Sequence, residues 1–582
     1  MIGIMKKIVM VIIIIVLLAS FSCKKQDSHY VKQYPLENIR PINYKQEIIS
    51  GFTSDFPHKF LWEVQLPSDG TLEFAVAVRK HTYEDFPERL QLSVKEKRST
   101  ITLLNKQIKL IRQHGQIFYY KVPLKGFKNK QLFLEFELKS NKNNKSFSDI
   151  IIWGTPTIFS EARSEKINIV LITIDALRAD HLGCYGYKYN SAPNITKFAN
   201  EAFVFNRAFA TDNSTWSALT SVMTSTYPTQ HGVVFNGYRF RNNFISLPEI
   251  LQQNGYQTIA LLANMGQATH KGYDYLLKTN NDEILTNVAT QKLNQFKDKP
   301  FFMWMHYFGT HAVYKAPDKY LSKYGLTPQD LKYGLPPLHY ALMGEQKPIP
   351  DAILQKIIKL YDANIDATDY LVSTVLAEIN RLGLKDKTMI IFSADHGETL
   401  GQHLNYLYHS GALYDAALRI PLLWYIPGKP LTQKSTDELV SSIDIAPTIL
   451  SYLNIKIPPS FQGINLLKLF KGESLERKWV FSESYGKIYS LRDKKYRYTI
   501  NPHKEEITIV DTLKVTYDEE LYRHPADELE QHNIIKEEPK IATAYRQMLM
   551  QWVNKNLPAS VPAQTIDEAT KEQLKALGYV NP

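Results

Sequence analysis

Cysteine is almost missing from this sequence: Cys23 and Cys184 are the two among 582 residues. That count excludes a disulfide framework and a cysteine-built metal cluster. Also missing is any apolar run of the roughly 20 residues a membrane-spanning helix needs; the stretch IVMVIIIIVLLA at residues 8–19 has 12. A third shortage is charge of one sign in the larger part of the chain. Residues 161–582 carry 45 basic and 44 acidic side chains, so nearly all of the net +11 lies in the first 160 positions. Phosphate-backbone binding needs Lys and Arg clustered where the work is done, so a nucleic-acid enzyme is not indicated. With 44% hydrophobic and 22% charged residues, wholesale disorder is excluded as well.

What is present begins with a targeting segment. Residues 1–22 place Lys6-Lys7 before the apolar run and end in small and polar residues, the layout of a signal peptide. The ending SFSC-KK resembles the looser bacterial lipoprotein signals, which implies that Cys23 is lipidated and becomes the first mature residue. Several acyl chains suffice for stable anchoring. The expected location is therefore extracytoplasmic, periplasmic or on the outer surface, with the lipid as the one attachment to a bacterial membrane. A plain secretory signal with an incidental cysteine is the alternative.

After a tether at 24–33, residues 34–160 show short alternating runs, FLWEVQL, TLEFAVAV, QIFYYKV and QLFLEFEL, separated by Gly, Asn and Asp. This spacing predicts a β-sandwich. Its run of lysines from Lys121 to Lys145 is either a solvated face or a surface for anionic glycan or membrane. From residue 167 the pattern changes. Near-continuous apolar runs, NIVLITI, TIALLAN, FFMWMHYF, TMIIFSA and PLLWYI, alternate with amphipathic stretches such as residues 246–255 and 351–383. That alternation predicts an α/β domain over 167–478 with a mostly parallel sheet covered on both faces. Short strands and a final helix near 540–554 predict a small α+β subdomain over 479–582.

In open α/β sheets ligands bind beyond the carboxyl ends of the strands. NIVLITI ends at Asp175, and TMIIFSA ends at Asp395-His396-Gly397-Glu398. Two acids with an adjacent histidine suit a divalent metal with an open face for an anionic substrate. A lone strand-end Asp is as often a helix cap. Residues 214–225 begin with hydroxyls and continue as a helix, placing Thr215 at an N-terminus where amide groups and the dipole favour anions.

At these residues the chain resembles the sulfatase family of the alkaline-phosphatase superfamily, over residues 167–582. The matching blocks run in family order: NIVLITIDALRADHLGCYGYKYNSAPNITKFA, TSTYPTQHGV, LPEILQQNGYQT, HYFGTHAVY, FSADHGETLGQH, YHSGALYDAALRIPLL, SSIDIAPTIL, LYRHPADELEQHN and LKALGYV. The resemblance implies an alkaline-phosphatase-like fold and one divalent metal ion, Ca, Mg, Mn or Zn. It makes Asp175, Asp395 and His396 metal ligands and puts Thr215 at the nucleophile's position beside the ion. It also makes His311 a substrate-contacting histidine, His409 a cation or general acid near the leaving group, and Asn236 a residue facing substrate. His306 is implied to support the site; Arg178, Asp180, Arg419 and Asp444 are implied to be structural.

The departures bear on mechanism. Sulfatases convert a Cys or Ser within Cys/Ser-x-Pro/Ala-x-Arg to formylglycine, but the segment here is Thr215-Trp216-Ser217-Ala218-Leu219. The usual second aspartate is Ala176, and the family's Gly-Lys-Trp-His reads Asn264-Met265-Gly266-Gln267. Related phosphodiesterases and phosphoethanolamine transferases use an unmodified threonine. The reading is a metal-dependent hydrolase of a small-molecule or glycan sulfate or phosphate ester, with Thr215 as nucleophile and Ser214 or Ser217 as the other hydroxyls in reach. A phospho-group transferase, or an impaired sulfatase-fold protein that binds anionic glycans, are the alternatives.

Overall fold

The computed structural model describes residues 166–556, less 190, 239, 242–243, 264–270, 345–346, 404–405, 412, 429–430, 432, 511–512 and 516–517. Upstream it describes the strands between residues 30 and 160 and the turn at 124–127. The signal segment 1–22, Cys23, most of the tether and residues 264–267 lie outside the described residues.

Eight strands form the central sheet: β1 (Asn168–Ile174), β2 (Phe203–Phe205), β3 (Gln257–Ala263), β4 (Tyr275–Thr279), β5 (Phe301–Tyr307), β6 (Thr388–Ala394), β7 (Leu422–Tyr425) and β8 (Ser435–Thr436). Their order is β4-β3-β5-β1-β6-β7-β2-β8. The first five in that order are parallel, and β7 runs antiparallel to both β6 and β2. β1, β5 and β6 are buried at every position. A strand buried on both faces has no place for alternation, which is why these segments read as continuous apolar runs.

Helices lie between the strands: α1 (Thr215–Thr224), α2 (Leu247–Gln253), α3 (Asp282–Phe296) and α4 (Asp351–Arg381). The inward face of α4 carries acids as well as Ile357, Leu360, Val372 and Val375. Asp362, Asp366 and Asp369, spaced by four and three residues, share one side of the helix. Asp362 meets His181 Nδ1 at 2.7 Å and accepts from the Tyr187 hydroxyl at 2.6 Å. Asp366 accepts from the Ala192 amide, and Asp369 from those of Asn194 and Ile195. These bonds satisfy backbone donors that would otherwise be buried without partners, and they pin the long connection after β1 to the helix.

At the C-terminal end, Val480–Ser484, Ile488–Arg492, Tyr496–Ile500 and Glu520–Arg523 make an antiparallel sheet, against which the helix Pro539–Asn556 packs Leu549 and Val553. The stretch SLRDKKYRYTI, residues 490–500, is divided between the second and third of these strands. Asp493 Oδ1 accepts from the amides of Lys495 and Tyr496, both at 2.7 Å, and turns the chain back. Upstream, Lys59–Gln65, Arg89–Glu96, Ser99–Gln107 and Gln131–Lys139 form one antiparallel sheet. The other N-terminal strands are antiparallel too, and Glu47–Phe52 pairs with β4 through Tyr275↔Ile49, extending the central sheet.

Among the described residues no helix is long and apolar enough to cross a membrane.

Candidate active site

The site follows from strand register. β1 and β6 are parallel with Ile174 opposite Ala394, so Asp175 and Asp395 emerge side by side, and the Ala176 amide donates to Asp395 Oδ1 at 3.0 Å. On the other flank of β1, Thr173 lies opposite His306 of β5. The ligating atoms of Asp175, His306 and Asp395 lie within 4.8 Å of one another. His396 Nε2 is 3.4 Å from Asp395 Oδ2 and 3.8 Å from Asp175 Oδ1. The sequence placed Asp175, Asp395 and His396 together; His306, expected only as support, stands in the same ring of donors.

Thr215 opens α1. Ser214 before it is extended, and its amide donates to Asp212 Oδ1 at 2.7 Å. Thr215 Oγ1 lies 3.4 Å from both Asp175 Oδ2 and His396 Nε2. Ser214 Oγ faces Ser410 Oγ at 3.5 Å instead, and Ser217 is fully buried two positions along the helix. Of the three hydroxyls, Thr215's is the one placed against the acids. Asn236 is also brought to this helix, but as a cap. Its Oδ1 accepts from the Trp216 amide at 3.0 Å, satisfying one of the free donors of the first turn.

Three imidazoles line the opposite side. His409 stacks on His396 with ring centroids 4.3 Å apart, and His311 meets His409 edge-on at 5.1 Å while stacking on Phe308 at 4.5 Å. His409 Nδ1 lies 3.4 Å from the Glu398 carboxylate. Its backbone carbonyl accepts from Asn213 Nδ2 at 2.6 Å, and Asn213 Oδ1 in turn accepts from Ser484 of the C-terminal sheet at 2.7 Å. Glu398 was already in the quoted ADHGET block; Asn213 carried no signal, since its role depends on a partner 271 positions away.

The electrostatics call for a cation. Burial alone would push the Asp175 carboxyl up, but the imidazoles of His311, His306 and His396 gathered around it hold it below the usual carboxylate range. Asp395 goes the other way, raised by burial and then by the charge of Asp175. Asp175 Oδ1, Asp395 Oδ2 and His306 Nε2 are buried and have no hydrogen-bond partner among the described residues. Buried polar atoms of this kind are costly unless something fills the space between them. A divalent ion fits the donor set, with Asp175, Asp395, His306 and His396 around it and the Thr215 hydroxyl alongside. Burial lowers the pKa of both His311 and His409, so both are neutral at pH 7 before an anion arrives.

Behind α1, the backbone at Asp212 forms a parallel β-bridge with that of Glu483, whose carboxylate accepts from Thr229 Oγ1 at 3.0 Å. Burial pushes the Glu483 carboxyl from 4.5 up to about 8. A raised carboxyl pKa means that the folded state holds a proton the unfolded chain releases above pH 4.5. Stability is therefore fully present below that pH and falls as pH rises towards 8, by an amount on the order of a few kcal/mol. Urea unfolding between pH 5 and 8 should show this decline, and Glu483→Gln should make it shallower; an equal slope in the variant would remove Glu483 as a source of it.

A mostly parallel sheet with acids, imidazoles and a helix-terminal hydroxyl at its carboxyl edge makes a site suited to an anionic ester. Residues 167–455 match the family model described as sulfatase, and residues 403–556 match the one described as the C-terminal region of N-sulphoglucosamine sulphohydrolase. The chain belongs to the sulfatase family of the alkaline-phosphatase superfamily and is a sulfatase-like ester hydrolase. Human iduronate 2-sulfatase is 24% identical, over 64% of this chain and 92% of its own length. An ulvan-active sulfatase of Formosa agariphila is 25% identical, over 55% and 68%. The fold is shared with the phosphonate monoester hydrolase of Agrobacterium radiobacter, at a TM-score of 0.56 and 17% identity, covering 69% of this chain and 99% of that one.

Proposed function

We propose that the chain hydrolyses a phosphoric or sulfuric ester by two displacements through an unmodified Thr215, with phosphoric esters preferred. The observation that carries this reading is the position of Thr215 Oγ1, at 3.4 Å from Asp175 and from His396 at the amide-rich start of α1. A divalent ion held by the acids would supply charge neutralisation for the ester's non-bridging oxygens and lower the pKa of the Thr215 hydroxyl, whose proton is released to solvent before attack and regained when Thr215 departs.

The remaining steps belong to the chain's own groups. Trp216 loses its amide to Asn236, so the cap fixes the pitch of the first turn and aims the Thr215 hydroxyl at the acids. His311 and His409 stand opposite, on the side where the leaving oxygen departs. Burial keeps His409 neutral until the ester's negative charge sits beside it; that charge favours the imidazolium, and the proton then passes to the leaving alcohol. Glu398 beside Nδ1 orients the ring and stabilises its charged form. Water attacks the covalent threonine ester from the vacated side, with neutral His409 now taking its proton.

A threonine ester has no hydrate to eliminate from, so release requires a second displacement at phosphorus or sulfur. Iduronate 2-sulfatase and the ulvan-active sulfatase are named for sulfated sugars, and the shared fold of a phosphonate monoester hydrolase accommodates phosphorus chemistry. A carbohydrate-borne ester is the substrate class most in keeping with these relatives. The test is a comparison of aryl sulfate, aryl phosphomonoester and aryl phosphodiester at matched concentrations. A phosphorus ester turned over at least roughly ten-fold faster than the sulfate is expected, a difference of about 1.4 kcal/mol in barrier. Faster sulfate release would overturn the preference, and release of neither anion would overturn hydrolysis.

A further inference from the structure

We propose that His306 is a direct metal ligand, standing in for the carboxylate that Ala176 lacks, and that with His396 it makes the centre select a transition-metal ion of the zinc type over calcium. The inference rests on the metal-assisted reading above and concerns which residues and which ion serve it.

The first observation is spacing. A charge-assisted N–H···O bond between His306 and Asp175 would measure about 2.7–2.9 Å. His306 Nε2 instead stands 3.5 Å from Asp175 Oδ2, and its ring is completely buried. Two donors bound to one ion at about 2.0–2.1 Å each, at a tetrahedral angle, lie about 3.3–3.4 Å apart. The separations of His396 Nε2 from Asp395 Oδ2 and of Thr215 Oγ1 from Asp175 Oδ2, both 3.4 Å, follow the same pattern.

The second observation is the other end of the ring. His306 Nδ1 lies 2.9 Å from Thr173 Oγ1, which also accepts from Trp304 Nε1 at 2.9 Å and lies 3.3 Å from the Met305 carbonyl oxygen. The hydroxyl has one proton and two lone pairs. Giving that proton to Met305 leaves the oxygen to accept from both Trp304 and Nδ1–H of His306, and all four groups are satisfied. In this tautomer Nε2 turns its lone pair towards the two carboxylates. A lone pair between carboxylates is repulsive unless a cation lies among them. Thr173 and Trp304 are therefore positioning residues for a ligand, in the way that the partners of metal-bound histidines usually fix the tautomer.

The third observation is donor chemistry. Calcium takes six to eight oxygen ligands and magnesium an octahedron of oxygens, whereas imidazole suits zinc and its neighbours. Two imidazole nitrogens among four protein donors turn the preference away from the hard ions.

The test uses the full chain, stripped with a chelator and titrated with Zn2+ and with Ca2+ by calorimetry in the absence of substrate. One equivalent of Zn2+ is expected, bound at least roughly 100-fold more tightly than Ca2+. His306→Ala should weaken Zn2+ binding by roughly 100-fold or more, and Thr173→Val by roughly 10- to 100-fold, with the far-ultraviolet dichroism of both unchanged. If His306→Ala does not fold, His306→Asp supplies the second arm: it restores an oxygen donor and should narrow the Zn2+ preference over Ca2+. Tighter Ca2+ than Zn2+ in the unaltered chain, unchanged Zn2+ affinity in His306→Ala, or an unchanged Zn2+ preference over Ca2+ in His306→Asp would overturn the proposal. Because no ester is present, a chain that binds Zn2+ through His306 yet hydrolyses nothing sinks the proposed activity and leaves this inference standing.

Discussion

Thr215→Ala is expected to lower kcat on every ester the chain accepts by at least roughly 10³-fold, the scale of losing an enzyme's nucleophile. The fold should not notice. Thr215 is the first residue of α1, its cap bonds belong to Asp212 and Asn236, and removing a hydroxyl there should cost within about 1 kcal/mol. Thr215→Ser should restore much of the rate, because Oγ is kept. Quench experiments on the unaltered enzyme should trap phosphate or sulfate on the peptide containing residue 215. Label on Ser214, or loss of turnover in Ser214→Ala with Thr215→Ala active, would move the nucleophile by one residue. The geometry speaks against that outcome, since Ser214 Oγ faces Ser410 rather than the acids.

The second large effect concerns His409. His409→Gln keeps a buried polar side chain of similar length but cannot carry a proton to the departing oxygen. For an alkyl or sugar ester the rate should drop by roughly 10²- to 10⁴-fold. For a nitrophenyl ester, whose leaving group needs no proton, the drop should be less than about ten-fold. The dependence of log kcat on leaving-group pKa should therefore steepen in the variant. A uniform loss across the series would make His409 a structural support of His396, on which it stacks at 4.3 Å, rather than an acid.

How much of this could be seen in the sequence follows from the range of the forces involved. NIVLITI and TMIIFSA announced strands buried on both faces, and their terminal acids announced the site, because burial and strand ends are local properties. The acids of α4 were invisible as staples, since nothing in the spacing of Asp362, Asp366 and Asp369 shows the connection at 181–195 that lies against them. His306 was legible as a residue but not as a donor. Its role comes from the register that sets it opposite Thr173, and register between strands more than a hundred positions apart leaves no mark in either. Asn236 was legible as a neighbour of the site, while the direction of its amide oxygen, towards Trp216, is a matter of packing. The turn at Asp493 could have been found from the Asp-Lys-Lys break between two short alternating runs.

The link from His409 through Asn213 to Ser484, with the Asp212–Glu483 bridge beside it, bears on how such a chain can be inherited. A boundary drawn near residue 478 separates two compositions, yet Ser484 beyond it bonds Asn213, the residue that holds the His409 carbonyl. Recombination at that point would hand the new gene every titratable group at the carboxyl edge of the sheet without the Ser484 bond that braces Asn213. Exchange of the C-terminal end alone would thus reach the general acid through Asn213, although no described residue beyond 478 stands among the donors of the site.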